Sequence, residues 1–179
     1  MRVDEPAAGG AVTLRDGTRV AVRPIRPEDE PLMAAFHAGL STRSVYQRYF
    51  YLPSLEQRIA HARLALSCRV DPAVGIALVA ERRRDDGEPE VLALARLTRT
   101  PPEGSAEFAL LVMDGWQGLG LGHALLQHLI AAARTLGIRR LYGDMMADND
   151  AMRAVVRHAG FVIRTVPGDG AVLRAERAI

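Results

Sequence analysis

Apolar and polar positions alternate from about Val12 onward. Two extended runs, Val12–Leu14 and Arg19–Ile25, flank the turn signal Asp16-Gly17 and predict a pair of strands. The segment RPIRPEDEP ends the second run with prolines, which resist helix interiors. Glu28, Asp29 and Glu30 then place negative charge where a helix N-terminus favours it, and Leu32, Met33, Phe36 and Leu40 recur at helical spacing. Ser41 suits the N-cap of a short helix reaching Phe50. A further helix is predicted after Pro53, with Leu55, Ile59, Ala62 and Leu66 on one side.

The period then changes. Ala73–Arg82 and Val91–Arg99 are extended runs around the turn DDGEP, and Glu107–Met113 follows as a third strand. Leu125, Leu129, Ala132 and Leu136 mark a helix that Gly137 stops. Arg139–Met146 reads as a strand and Asp150–Ala159 as a helix ended by Gly160. Phe161–Val166 with Ala171–Ala175 reads as a closing hairpin. This order predicts an α/β fold, one domain over residues 11–179 with a mixed central sheet and helices on its faces. Residues 1–10 lack apolar periodicity and end in Gly-Gly, so a loose leader is expected there.

Composition narrows the class. A chain of 179 residues, 49% hydrophobic and 25% charged, fits one soluble core without a metal or disulfide staple. The single Cys68 cannot form an internal bridge, and His37, His61 and His128 lack metal-ligand spacing, so no metal is expected. No apolar run approaches a membrane span, and the reading is a cytoplasmic protein with no membrane partner. The formal charge is only +2, yet the isoelectric point is about 9.1, because all 23 basic residues are arginine. The runs Arg82–Arg84 and Arg139-Arg140 are too short, and too close to acids, to indicate nucleic acid.

One segment carries candidate chemistry. DGWQGLGLG joins the strand ending near Met113 to the next helix, and glycines 118, 120 and 122 let backbone approach a ligand closely. Free N–H groups at a helix N-terminus form an anion site, so the loop suits phosphate or pyrophosphate. A dinucleotide fingerprint would need glycine where His123 or Leu125 stands, and a triphosphate loop would need a lysine, which the chain lacks.

Gln117, Gly120 and Gly122 match the Gln/Arg-x-x-Gly-x-Gly/Ala signature of the GNAT acetyltransferase superfamily, which the chain resembles from about Val12 onward. Asp148–Met152, followed by Gly160-Phe161, resembles the superfamily's second recurring segment. LRDGTRVAVRPIRPEDEPLMAAFHAGLSTRSVYQRYF and AEFALLVMDGWQGLGLGHALLQHLI look like the acetyltransferase domain of bacterial protein lysine acetyltransferases. That domain is often fused to an acyl-CoA synthetase-like region, and only the acetyltransferase part is expected in this chain.

The resemblance implies a GNAT fold whose central strands splay around acetyl-CoA as cosubstrate. It implies backbone contacts to the pantetheine arm at Leu111, Val112 and Met113. Amides of Gln117, Gly118, Leu119, Gly120, Leu121, Gly122 and His123 would hold the pyrophosphate, and Asn149 would reach the pantetheine or phosphate portion. Glu107 is the implied general base; its plainer alternative is a strand glutamate that is solvated or paired to Arg96. Val156 stands where many members carry a tyrosine that protonates the departing thiolate. The expected partner is a protein with an exposed lysine, acyl-CoA synthetases among the candidates, and the oligomeric state is left as monomer or dimer. A small-amine acceptor and a catalytically silent acyl-CoA sensor are the alternatives. Asp114 and Asp144 read as solvated, Trp116 as a packing anchor of the loop, and Tyr46, Tyr49, Phe50 and Tyr51 as core or groove aromatics.

Overall fold

The computed structural model describes residues 9–179. The first hairpin is β1 (Gly10–Thr13) and β2 (Arg19–Pro24), closed by a turn in which Gly17 takes φ 88°. Four helices follow: α1 (Glu30–Ala38), α2 (Thr42–Tyr49), α3 (Leu55–Ile59) and α4 (His61–Cys68). Then come β3 (Gly75–Arg83), β4 (Pro89–Thr100), β5 (Ser105–Val112), α5 (Leu121–Thr135) and β6 (Arg140–Met146). The chain closes with α6 (Asp150–His158), β7 (Val162–Val166) and β8 (Asp169–Ala178). The expected leader lies outside the described residues except at Gly9 and Gly10, and Gly10 already pairs with Val22 in β1.

The eight strands form one sheet in the order β1-β2-β3-β4-β5-β6-β8-β7. Every pairing is antiparallel except that of β5 with β6. Neighbouring residues of a strand face opposite ways, so each run of consecutive apolar residues feeds two cores. Leu78, Leu92 and Leu110 pack under α5 with Leu125, Leu126, Leu129 and Ile130. Their neighbours Val79, Val91 and Leu111 pack on the other face with Met33, Phe36, Val45 and Leu64 from α1, α2 and α4. That explains why β3 to β5 read as near-continuous apolar runs: both faces are covered.

The single helix expected after Pro53 is two. Ser54 caps α3 by accepting from the Gln57 N–H at 3.1 Å, but Ala60 adopts extended backbone (ψ 131°) and the helix restarts. The break turns the predicted apolar stripe: Leu66 is 78% exposed and Leu55 is exposed, while Leu64 and Cys68 are buried. An i, i+4, i+7 pattern is informative only while the helix is continuous, and nothing in the local sequence marks Ala60 as a stop.

Candidate active site

The parallel pairing of β5 with β6 is short. Ser105, Ala106 and Glu107 pair with Arg140, Leu141 and Tyr142, and there the ladder ends. Phe108 and Gly143 are the next residues on each strand. The Phe108 ring fills the space a side chain at Gly143 would need, since a Cβ there would lie 2.7 Å from the ring. Phe108 is held edge-on by Phe161 (5.2 Å between centroids), so an aromatic wedge stands where the strands part. Beyond it, β5 from Phe108 to Val112 has no partner on its β6 side, and a cleft opens.

Glu107 lines this cleft with Ala109, Leu111, Val112, Gln117, Gly118, Gly122 and Asn149. Across β4 it faces Thr98, whereas Arg96 faces Ala109 and donates to the Ser67 carbonyl. The Arg96 pairing considered from sequence is therefore absent; among the described residues Glu107 makes no ion pair. The nearby cleft-lining cation is Arg48 on α2. Burial lowers the proton affinity of its guanidinium, and the charge of Glu107 acts in the opposite direction.

At the far end of the open stretch, the chain passes through a 3-10 turn at Asp114–Trp116 into α5. Gly118 takes φ 75° and Gly120 takes φ 93°, a region that favours glycine. The Gly120 carbonyl accepts the first helical bond, from Ala124 at 3.0 Å. The N–H groups of Leu121, Gly122 and His123 thus have no carbonyl one turn earlier. A Cβ at Gly118 would meet nothing within 4 Å, so the backbone there is open to a ligand. Bare glycine backbone, orphan N–H groups and the helix dipole together fit a pyrophosphate.

The candidate residues do not all serve the cleft with their side chains. Gln117 turns inward: its Nε2 donates to the Val112 carbonyl at 3.0 Å and to Ser44 Oγ at 3.1 Å. Leu119 packs against the core and its carbonyl accepts from the Arg15 N–H at 3.1 Å, while Leu121 is buried. The Met113 N–H is bonded to the Leu92 carbonyl at 2.9 Å. His123 stacks edge-on with His158, 5.2 Å between ring centroids. Asn149 sits one residue before α6 as its N-cap, with its side-chain oxygen accepting from the Met152 N–H at 3.1 Å. Val156 is fully buried in the core, and α6 presents Met152 and Val155 to the cleft instead.

Two carboxylates expected to be solvated are bonded. Asp114 accepts from the Ser41 N–H at 3.0 Å and the Ser44 hydroxyl at 2.9 Å, tying the start of α2 to the glycine-rich loop. Asp144 takes both arms of Arg174, each at 2.7 Å. Trp116 packs on the core beneath the Arg82 guanidinium, 4.5 Å from its ring centre. Of the four aromatics near α2, Phe50 lines the cleft, Tyr46 and Tyr51 are exposed, and Tyr49 is half-buried. The groove position expected for this region holds at Phe50, but the sequence did not single out Ser44, Gln47 and Arg48, which line the cleft from α2. This side of the cleft carries no local motif, and only the fold brings it over β5. Among the described residues no helix is long and apolar enough to cross a membrane.

Known proteins share this fold. The acetyltransferase (GNAT) domain model matches residues 19–162. An acetyltransferase of Pseudomonas aeruginosa is 34% identical over 157 residues, covering 88% of this chain and 82% of that protein. Acetyltransferase Pat of Mycolicibacterium smegmatis is 28% identical over 152 residues, 84% of this chain but 44% of Pat. Among solved structures, the GNAT domain of S. lividans PAT superposes with a TM-score of 0.84 at 31% identity, covering 98% of this chain and 100% of that domain. RimJ of Mycobacterium smegmatis in complex with CoA-disulfide, at 19% identity and a TM-score of 0.72 over 95% of this chain and 86% of RimJ, shares the fold. The chain belongs to the GNAT acetyltransferase family.

Proposed function

We propose that the protein is an acetyl-CoA-dependent lysine N-acetyltransferase acting on protein substrates in the cytoplasm, with Glu107 as general base. The observation that carries this reading is the position of Glu107, at the point where β5 and β6 separate, in one cleft with the glycine-rich loop and free of any ion pair among the described residues. Support for a protein acceptor comes from the likeness to the GNAT domain of S. lividans PAT and to Pat of M. smegmatis.

The coenzyme supplies a thioester carbonyl. The loop amides from Gly118 to His123 orient its pyrophosphate, and the open edge of β5 near Leu111 and Val112 aligns the pantetheine arm. A lysine amine, with an ordinary pKa of about 10.4, arrives as ammonium and cannot attack until it loses a proton. Glu107 takes that proton, directly or through one water. The nitrogen then forms its bond to the carbonyl carbon, the carbon–sulfur bond breaks, and the second amine proton neutralises the thiolate through solvent. No hydroxyl on the cleft face of α6 is positioned for that last transfer, since Met152 and Val155 occupy it.

The test is turnover of acetyl-CoA by wild type and Glu107→Gln with a purified acyl-CoA synthetase and with a panel of small amines. The variant is expected to lose about 10²–10⁴-fold in kcat while coenzyme affinity stays within a factor of about two. Full activity in the variant overturns the role of Glu107. Turnover of small amines alone overturns the protein acceptor.

A further inference from the structure

Six arginines, Arg23, Arg82, Arg84, Arg140, Arg153 and Arg174, each form an ion pair with a carboxylate. Three arginines without such a partner gather around Tyr49. Arg48 of α2 and Arg63 of α4 both stand 5.0 Å from the centre of the Tyr49 ring, and Arg96 of β4 lies on the same sheet face as Glu107. All three are half-buried. Among the described residues none has a carboxylate within ion-pair distance. Arg96 donates to the Ser67 carbonyl, a neutral acceptor that leaves its charge in place.

Clustered cations raise one another's electrostatic energy, and partial burial strengthens the effect by removing water. The observed directions agree. Burial and then the Arg48 charge lower the proton affinity of Arg96; burial leads the lowering at Arg48, with Arg63 adding to it. No neighbouring group compensates fully. His37 is held neutral and the Cys68 thiol is pushed up to about 11, so neither supplies a negative charge. Among the described residues, Glu107 is the carboxylate whose charge favours the Arg48 cation.

The coenzyme's phosphates are not the natural counter-charge. Glu107 and Val112 bound the open stretch of β5, about 17 Å at strand rise, and the glycine-rich loop lies beyond Val112. Along α2 the polarity is the same: Ser44 reaches Gln117 at the loop end, and Arg48, one turn later, lines the cleft with Glu107.

We propose that Arg48, Arg63 and Arg96 form a carboxylate-binding subsite for the acceptor, so that the preferred amine is a lysine flanked by aspartate or glutamate. This rests on the reading of Glu107 as the base for that amine. The guanidinium fork matches a carboxylate in two hydrogen bonds, and Tyr49 fixes two of the three forks by stacking. A carboxylate at the far end of an acyl chain has the same chemistry, and the test separates the two sources.

Two capped peptides with one lysine, differing only in Glu or Gln beside it, are compared in wild type and Arg63→Gln. Binding is measured calorimetrically with coenzyme A present, and turnover with acetyl-CoA. Wild type should prefer the Glu peptide at least about tenfold in both Kd and KM, the worth of one charge-assisted hydrogen bond, and Arg63→Gln should bring that ratio close to one. Equal binding of both peptides to wild type, or an unchanged ratio in the variant, overturns the subsite even if both peptides are acetylated. The expected binding preference without turnover of either peptide leaves the subsite standing and removes the lysine acetylation reading instead. Transfer from succinyl-CoA to the Gln peptide that outpaces acetyl transfer and collapses in Arg63→Gln assigns the cluster to the acyl chain and overturns the acceptor assignment.

Discussion

The Asp114 carboxylate accepts a hydrogen bond from the Ser44 hydroxyl at 2.9 Å, and that hydroxyl in turn accepts from Gln117 Nε2 at 3.1 Å. Through this relay, helix α2 and the glycine-rich loop hold each other. Burial raises the Asp114 pKa, but the hydroxyl and N–H of Ser41 and the hydroxyl of Ser44 outweigh it and hold the carboxyl below its ordinary range. A carboxylate depressed in the folded state adds stability that is present above its unfolded pKa of about 3.9 and is lost as pH falls through the lower folded value. Asp114→Asn should therefore flatten the acid limb of the stability profile below about pH 4 in urea melts. It should also weaken coenzyme A binding by a few-fold, since the loop loses its brace. Coincident acid limbs for wild type and variant would exclude the brace.

Gly118 separates the ligand role of the loop from its folding role. Its φ of 75° makes any side chain mildly strained, yet a Cβ there would touch nothing within 4 Å. Gly118→Ala should cost about 1–2 kcal/mol of stability from backbone strain. Its effect on coenzyme A affinity should be larger, at least about tenfold, because the methyl stands over the backbone that a phosphate approaches. Thermal melts and calorimetric titration of the same sample check both numbers. A loss of stability without loss of affinity would move the phosphate away from Gly118.

Much of this was readable along the chain because it is local. The glycine signature, the turn at Asp16-Gly17, the Ser41 cap and the stop at Gly137 each depend on residues within a few positions of one another. The failures are all non-local. Leu55 and Leu66 carry helical spacing, but the break at Ala60 puts them on different helices, and both are exposed. Asp114 looked like a solvated loop carboxylate because its donors are about 70 positions away in sequence. The arginine cluster draws one member each from α2, α4 and β4, and no window of sequence contains it. The insertion of β8 between β6 and β7 is likewise a fact of the sheet, not of any hairpin pattern.

Gly143 tests the origin of the cleft. A Cβ there would lie 2.7 Å from the Phe108 ring and 2.9 Å from its carbonyl oxygen, so the substitution forces the wedge or the strand to move. Gly143→Ala should destabilise by about 1–3 kcal/mol, as overpacking in a closed core does. Because Phe108 adjoins Glu107, kcat should fall further than coenzyme affinity. Denaturant midpoints and kinetics on the same preparation separate the two effects; a neutral substitution would show that the strands part for another reason.

His37 gives a pH signature on the other side of the cluster. Burial, followed by the charges of Arg58, Arg63, Arg48 and Arg96, lowers its pKa to about 4, and Arg58 also donates to its carbonyl at 2.6 Å. An unfolded imidazole titrates near 6.5, so between about pH 6.5 and 4 the unfolded chain binds a proton that the folded chain refuses. Stability contributed by neutral His37 is thus full above that window and falls as pH drops through it, by up to a few kcal/mol. Urea melts should show this slope in wild type and lose it in His37→Leu, with the two proteins converging in slope above pH 7. A mutant that keeps the wild-type slope would place the titrating group elsewhere. Removing one of the surrounding cations should shrink the slope without abolishing it, because burial, the larger cause, remains.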